Sequence, residues 1–180
     1  MSKSSKHEPM KIVTYGHPTL RVKCVRVTEF NEELHEFADR MFTTMFENEG
    51  VGLAASQVDR PIQLLVVAVP KPDTEELFKL VVVNPEIIES RGSWDYEEGC
   101  LSVPDLREMV TRPEWIRLKY QDLEGTEHEI EVEDLIGRVL QHEIDNLNGI
   151  LFVDRLSTIR RALLENKLKQ LAKENARICM

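Results

Sequence analysis

The sequence predicts an α+β fold, and three observations predict it. An amphipathic helical segment comes first, a run of short β-rich segments follows, and two further helical segments come last. Helices and strands grouped in this way, without strict alternation, argue against a parallel βαβ sheet. A length of 180 residues fits one domain better than two small, marginal ones. The expected division is a loose polar tail over residues 1–10 and one domain over 11–180.

The first helix is expected over residues 31–49. Asn31 is a suitable N-cap, and Glu32 and Glu33 in the first turn favour the positive end of the helix dipole. Leu34, Phe37, Ala38, Met41, Phe42 and Met45 recur at helical spacing, and Gly50 supplies a stop. Residues 63–69 (QLLVVAV) form a short, β-branched, apolar run closed by Pro70, as a buried strand would be. Residues 78–83 (FKLVVV) read the same way, with Asn84-Pro85 as a break. Residues 115–120 and 128–132 alternate polar and apolar side chains around the turn signal Asp122-Leu123-Glu124-Gly125, which predicts an antiparallel hairpin. A second helix is expected over 132–147, striped by Ile136, Val139, Leu140, Ile144 and Leu147 and stopped by Gly149. A third, over about 157–173, carries Leu163, Leu164, Leu168 and Leu171 among many charges.

Composition excludes several classes. Hydrophobic residues at 42 % and charged residues at 31 % are those of a folded globular chain. A net charge of −9 opposes general DNA or RNA binding, which requires neutralised phosphates. No apolar run is long enough for a membrane span, and the polar N-terminus lacks a signal-peptide core. Cys24, Cys100 and Cys179 are few, scattered and odd in number, which suits a reducing, cytoplasmic setting better than a disulfide framework.

Three short segments hold residues capable of chemistry. His142 and Glu143 are adjacent on a helix, so they point about 100° apart. One could ligate a metal while the other faces a water, as in His-Glu-x-x-His hydrolases. That motif wants a second His at position 146, and the residue there is Asn146. Alone, the pair is almost no signal and reads far more readily as an ordinary solvated or capped helix pair. Cys100 lies between Gly99 and Leu101 with Pro104 close behind, which places it at a loop or strand end. A lone cysteine is more often an inert core residue than a ligand or nucleophile, and the loop or strand-end position raises the functional reading modestly. In residues 50–57 (GVGLAASQ), two glycines permit close approach by a ligand or another strand, or simply a tight turn. It is not a phosphate loop, because the third glycine and the Lys-Ser/Thr pair are missing.

Taken together, GVGLAASQ at 50–57, EGCLS at 98–102 and QHEIDN at 141–146 resemble, in order and spacing, the three motifs of the peptide deformylases. Residues 16–21 (GHPTLR), 103–104, 110–113 and 147–155 extend the resemblance over about residues 11–156. It implies antiparallel strands packed around a central metal-binding helix, with a C-terminal helix. It implies a hydrolase that removes the formyl group from N-terminal formyl-methionine of nascent polypeptides. Its cofactor would be one divalent metal ion, ferrous iron first, with zinc, nickel or cobalt as alternatives. Cys100 and His142 would be metal ligands and Glu143 the proton-transferring carboxylate. The Gln57 amide and the Leu101 N–H would hold the oxyanion. Val51, Gly52 and Gly99 would bind the peptide backbone, and Val139 would border the methionine pocket. Asn146 stands where the resemblance implies a second His ligand, so metal binding is expected to be weaker. Asp145 would be structural, pairing with Arg112. The resemblance allows a ribosome contact through the C-terminal helix, although an ordinary packed or solvated surface helix is the preferred reading of that segment, and neither DNA nor a membrane is an expected partner. The alternative is a related protein that binds formyl-methionyl peptides without turnover. A metalloprotease, suggested only by His-Glu, is disfavoured by the other two motifs.

Overall fold

Asn31 caps the first helix as its position requires. Its Oδ1 accepts from Leu34 N at 3.1 Å, and helix α1 (Glu32–Glu47) follows. These assignments come from a computed structural model, which describes residues 8–178 and the side chains of 8–176. Cys179 and the first seven residues of the expected tail therefore lie outside the described residues. Of that tail, Met10 N donates to Thr44 Oγ1 at 2.8 Å and the Glu8 carbonyl accepts from Arg40 Nε at 3.3 Å, both on α1.

The described strands are β1 (Gly52–Ala54), β2 (Leu64–Pro70), β3 (Leu77–Arg91), β4 (Trp94–Cys100), β5 (Val103–Arg112), β6 (Trp115–Gln121) and β7 (Glu127–Glu133). They form a five-stranded sheet in the order β1-β2-β3-β6-β7 and a separate β4-β5 hairpin, all pairs antiparallel. Two helices follow: α2 (Asp134–Leu147) and α3 (Thr158–Ile178). The architecture is the α+β class expected.

Strand β2 is apolar at successive positions because both of its faces are covered. Leu64, Val66 and Ala68 pack with Leu34, Phe37, Met41 and Met45 of α1. Leu65, Val67 and Val69 pack with Val139, Leu140, Ile144 and Leu147 of α2, together with Ile116 and Leu118 of β6. A strand between two helices has no solvent side, so alternation disappears. β6 and β7 form the expected hairpin, with Asp122 Oδ1 accepting from Glu124 N and Thr126 N across the turn.

Three expectations are corrected. Asn84-Pro85 does not end β3, which runs on to Arg91 with a register shift between Val83 and Glu86. Asn84 sits there at φ 51°, and its side chain bonds both the N–H and the C=O of Val27, each at 2.9 Å. The feature is a bulge stabilised by an amide, not a break. The β4-β5 hairpin was not foreseen, since its sequence offers little apolar alternation. Val132 belongs to β7, so α2 begins at Asp134, and α3 extends beyond residue 173. Leu164, Leu168 and Leu171 dock α3 on a cluster with Val103, Leu106 and Phe152, whereas Leu163 is 74 % exposed. Gly149, at φ 75°, closes α2 in the left-handed conformation that favours glycine. Among the described residues, no helix is long and apolar enough to cross a membrane.

Leu65 is fully buried between β2 and α2. Leu65→Ala is therefore expected to lower the unfolding free energy by about 3 kcal/mol. Urea denaturation should show a lower midpoint with an unchanged slope, and an unchanged midpoint would contradict this packing.

Candidate metal centre

Helix α2 packs against the inner face of the sheet and carries one polar stripe inward. Gln141, His142, Glu143, Asp145 and Asn146 are all buried. Buried polar groups need partners, and most of these have them.

The His142 ring is fixed first. Its Nδ1–H donates to Glu98 Oε2 at 2.9 Å, and the ring stacks near Phe152. Glu98, on β4, is itself clamped. Its Oε1 accepts from Arg112 Nε at 2.6 Å and Arg138 Nη1 at 2.7 Å, and its Oε2 accepts from Arg112 Nη2 at 3.0 Å. Arg112 Nη1 continues to Asp145 Oδ2 at 2.7 Å, the pairing expected for Asp145, and Arg155 closes on the same carboxylate. Burial would push the Glu98 carboxyl up, but the His142 and Arg112 hydrogen bonds outweigh it and hold the pKa at about 2. With Nδ1 occupied by a carboxylate, the other ring nitrogen of His142 is left to face Cys100, an arrangement typical of metal-binding histidines.

Cys100 is placed opposite by a change of register. The β4-β5 pairing shifts between Gly99 and Cys100, so Cys100 faces Val103 and turns toward α2. It hydrogen-bonds His142, and burial, which alone would lower the His142 pKa, is overcome by Cys100 and Glu98. Gln57 Nε2 lies 3.5 Å from Cys100 Sγ and 3.2 Å from Ser102 Oγ. Gln57 Oε1 accepts from the backbone N–H of Ala54 at 2.8 Å, which fixes the orientation of the amide.

Glu143 lies about 100° round the helix from His142 and borders the same cleft. Burial raises its pKa, and Asn146 Nδ2 donates to its Oε2 at 3.0 Å. Gly52 makes room for it: a Cβ there would lie 2.8 Å from both Glu143 Oε1 and Val139 Cγ1. Glycine at 52 is thus required by the close approach of α2 to β1.

A cleft of about 740 Å³ opens above these groups. Val51, Gly52, Gln57, Gly99, Cys100, Leu101, Val139, His142 and Glu143 all line it. Asn146 does not reach the wall; it lies below, 1 % exposed. β1, with Val51 beside it, is the outer strand of the five-stranded sheet, so one backbone edge faces the cleft.

Do these residues suit a metal? Among the described residues, no three His, Cys, Asp or Glu side chains cluster as a complete ligand set. Cys100 and His142 are nevertheless adjacent and correctly oriented. Asn146 Oδ1 is a buried acceptor with no partner, which is the signature expected of a missing cation. A thiolate, an imidazole and an amide oxygen fit a first-row divalent ion. Sequence reasoning missed Glu98 and Arg138. Glu98 stood inside EGCLS, but nothing in one dimension links it to His142.

Fold and site together suit a hydrolase whose polar cleft lies beside an edge strand. The family model for polypeptide deformylase matches residues 9–162. A peptide deformylase of Wolinella succinogenes is 48 % identical over 163 residues, covering 89 % of this chain and 96 % of that protein. The crystal structure of a peptide deformylase from Legionella pneumophila superposes with a TM-score of 0.82 at 40 % identity, covering 94 % and 99 % of the two chains. A Met-Ala-Ser-bound peptide deformylase from Acinetobacter baumannii superposes at 0.79 with 38 % identity, covering 83 % and 99 %. The chain belongs to the polypeptide deformylase family. It is accordingly an amide hydrolase of protein biosynthesis, metal-dependent, acting on N-terminal formyl-methionine.

Glu98→Gln keeps the side chain's shape and removes the charge facing two buried guanidiniums. It is expected to cost about 3 kcal/mol of stability, because two buried guanidiniums lose their shared carboxylate and Arg112 keeps only Asp145. Equilibrium unfolding measures it; a loss under about 1 kcal/mol, the scale of a surface pair, would contradict the assignment.

Proposed function

We propose that this chain deformylates nascent polypeptides with Cys100 and His142 as metal ligands, Asn146 on the third side and Glu143 as the proton carrier. The observation that supports this reading is the meeting of Cys100, His142, Glu143 and Gln57 on one cleft floor, with His142 oriented by Glu98. When bound, a divalent ion (ferrous iron in first place, then zinc, nickel or cobalt) supplies the Lewis acidity that makes hydroxide available near neutral pH.

The chain's own residues do the rest. The peptide lies against β1 in strand fashion, using backbone groups at Val51, Gly52 and Gly99, so its sequence is not read. The methionine side chain sits against Val139. Glu143 takes a proton from the attacking water, whose oxygen bonds to the formyl carbon. The Gln57 Nε2–H and the Leu101 N–H stabilise the charge on the former carbonyl oxygen. Glu143 then returns the proton to the amine nitrogen as the C–N bond breaks, releasing formate and a free α-amine.

Asn146 is a weaker ligand than imidazole, being neutral and shorter. One ligand of a zinc-like site contributes on the order of 3 kcal/mol, or about a hundredfold in affinity. Formate release from a formyl-Met peptide, with protein loaded anaerobically with iron or nickel, tests the reading. Wild type should be active, and Asn146→His should retain metal about a hundredfold more tightly and be more active at limiting metal. Glu143→Gln should keep its metal and lose about 10²–10⁴-fold in rate. Peptide and metal bound, with no formate from wild type or Asn146→His, would overturn this in favour of binding without turnover.

We also propose that α3 touches the ribosome in the cytoplasm. The support is a pair of apolar side chains one turn apart, Ile159 and Leu163, 76 % and 74 % exposed beside Arg160. Leu163→Asp should abolish co-sedimentation with ribosomes and leave peptide turnover unchanged; unchanged sedimentation would refute the contact.

A further inference from the structure

Ser102 is fully buried, and its hydroxyl has a single hydrogen-bond partner among the described residues. That partner is Gln57, whose Nε2–H donates to Ser102 Oγ at 3.2 Å. The other end of the Gln57 amide is settled by its neighbours. Its Oε1 accepts from the Ala54 N–H at 2.8 Å and from Asn146 Nδ2 at 3.4 Å. A backbone N–H is always a donor, so the atom facing Ala54 is oxygen and the NH2 group points toward Ser102 and Cys100. That group carries two hydrogens. One is committed to Ser102. The second lies on the Cys100 side, 3.5 Å from Sγ, at the wall of the cleft.

The backbone repeats the same link. The Val13 N–H donates to the Gln57 carbonyl and the Tyr15 N–H to the Ser102 carbonyl, each at 2.8 Å. Alternate residues of one segment thus tie Gln57, in the turn after β1, to Ser102, between β4 and β5. Val13 is buried with Val103 and Leu106, which anchors that segment. Leu101 and Val103 line the cleft on either side of Ser102, but Ser102 does not reach it. It therefore cannot touch a substrate, and it can act only through the groups beside it. Those groups are the Gln57 Nε2–H and the Leu101 N–H, two donors on separate pieces of backbone. Their separation must be held for both to meet one oxygen atom. Resting on the deformylase reading of this site, we infer that Ser102 is a positioning residue for the reaction: its hydroxyl aims the Gln57 amide, and its backbone, tied by Tyr15 to the segment that also holds Gln57, sets the Leu101 N–H at the matching distance.

A double-mutant cycle on the full, nickel-loaded chain tests this, with formate release from a formyl-Met-Ala-Ser peptide as the readout. Ser102→Ala should lower kcat about tenfold and leave KM within about twofold, because the Gln57 donor is misaimed rather than removed. Gln57→Ala, which removes the donor, should cost about 10²–10³-fold in kcat. In that background Ser102→Ala should change kcat by less than about twofold, since nothing is left to aim. If Ser102→Ala does not fold, Ser102→Gly, which also lacks the hydroxyl, takes its place in the cycle. An unchanged kcat, a change in KM alone, or an equal loss of kcat in both backgrounds would overturn the inference, the last being the mark of a merely structural serine. Failure of the deformylase reading looks different: wild type would bind nickel and peptide yet release no formate.

Discussion

One buried carboxylate holds this protein's site together. Glu98, on β4, accepts from two arginines and from His142, and those partners come from two other elements. Arg112 ends β5, while Arg138 and His142 stand one turn apart on α2. The β4-β5 hairpin is outside the main sheet, so this charge cluster is a principal tie between the hairpin and the helix. The same tie sets Cys100, two residues beyond Glu98, opposite His142. A site assembled from two separate pieces of backbone needs such a fixed reference, because small displacements of ligands are costly. Arg138 also lies over the Trp94 and Tyr96 rings, which pins the hairpin a second time.

The sheet performs a different task. Because β2 is covered on both faces, β1 is held rigidly at the margin, with its free edge beside the cleft. Gly52 lets α2 press Glu143 against that edge. Under the proposed function, the group that carries the proton and the edge that binds the peptide are thus in contact. Chemistry and substrate alignment share one packing arrangement, which suits a reaction that depends on placement.

Much of this was legible in the sequence. Asn31 announced α1, the unbroken apolar run announced a doubly covered β2, and Asp122-Gly125 announced the last hairpin. The motif residues Gln57, Cys100, Leu101, His142 and Glu143 do converge on one cleft. What escaped was long-range or polar. Asn84 looks like a breaker but becomes a bulge because its amide satisfies Val27 from another part of the chain. The β4-β5 hairpin is stabilised by charge pairs such as Glu98 with Arg112 rather than by apolar alternation, so no period reveals it. The roles of Glu98 and Arg138 depend on contacts 40 or more residues apart along the chain. Asn146 was visible as an oddity, but its bonds to Glu143 and Gln57 join residues far apart in sequence or round the helix and could be read only from the fold.

The central claim is that one cysteine and one histidine, brought together by Glu98, form the core of a metal centre. X-ray absorption spectroscopy of the zinc-loaded protein tests it most directly. The account predicts one sulfur at about 2.3 Å and a single imidazole ring among nitrogen and oxygen neighbours at about 2.0–2.2 Å. A spectrum without sulfur, or one requiring two imidazole rings, would contradict it.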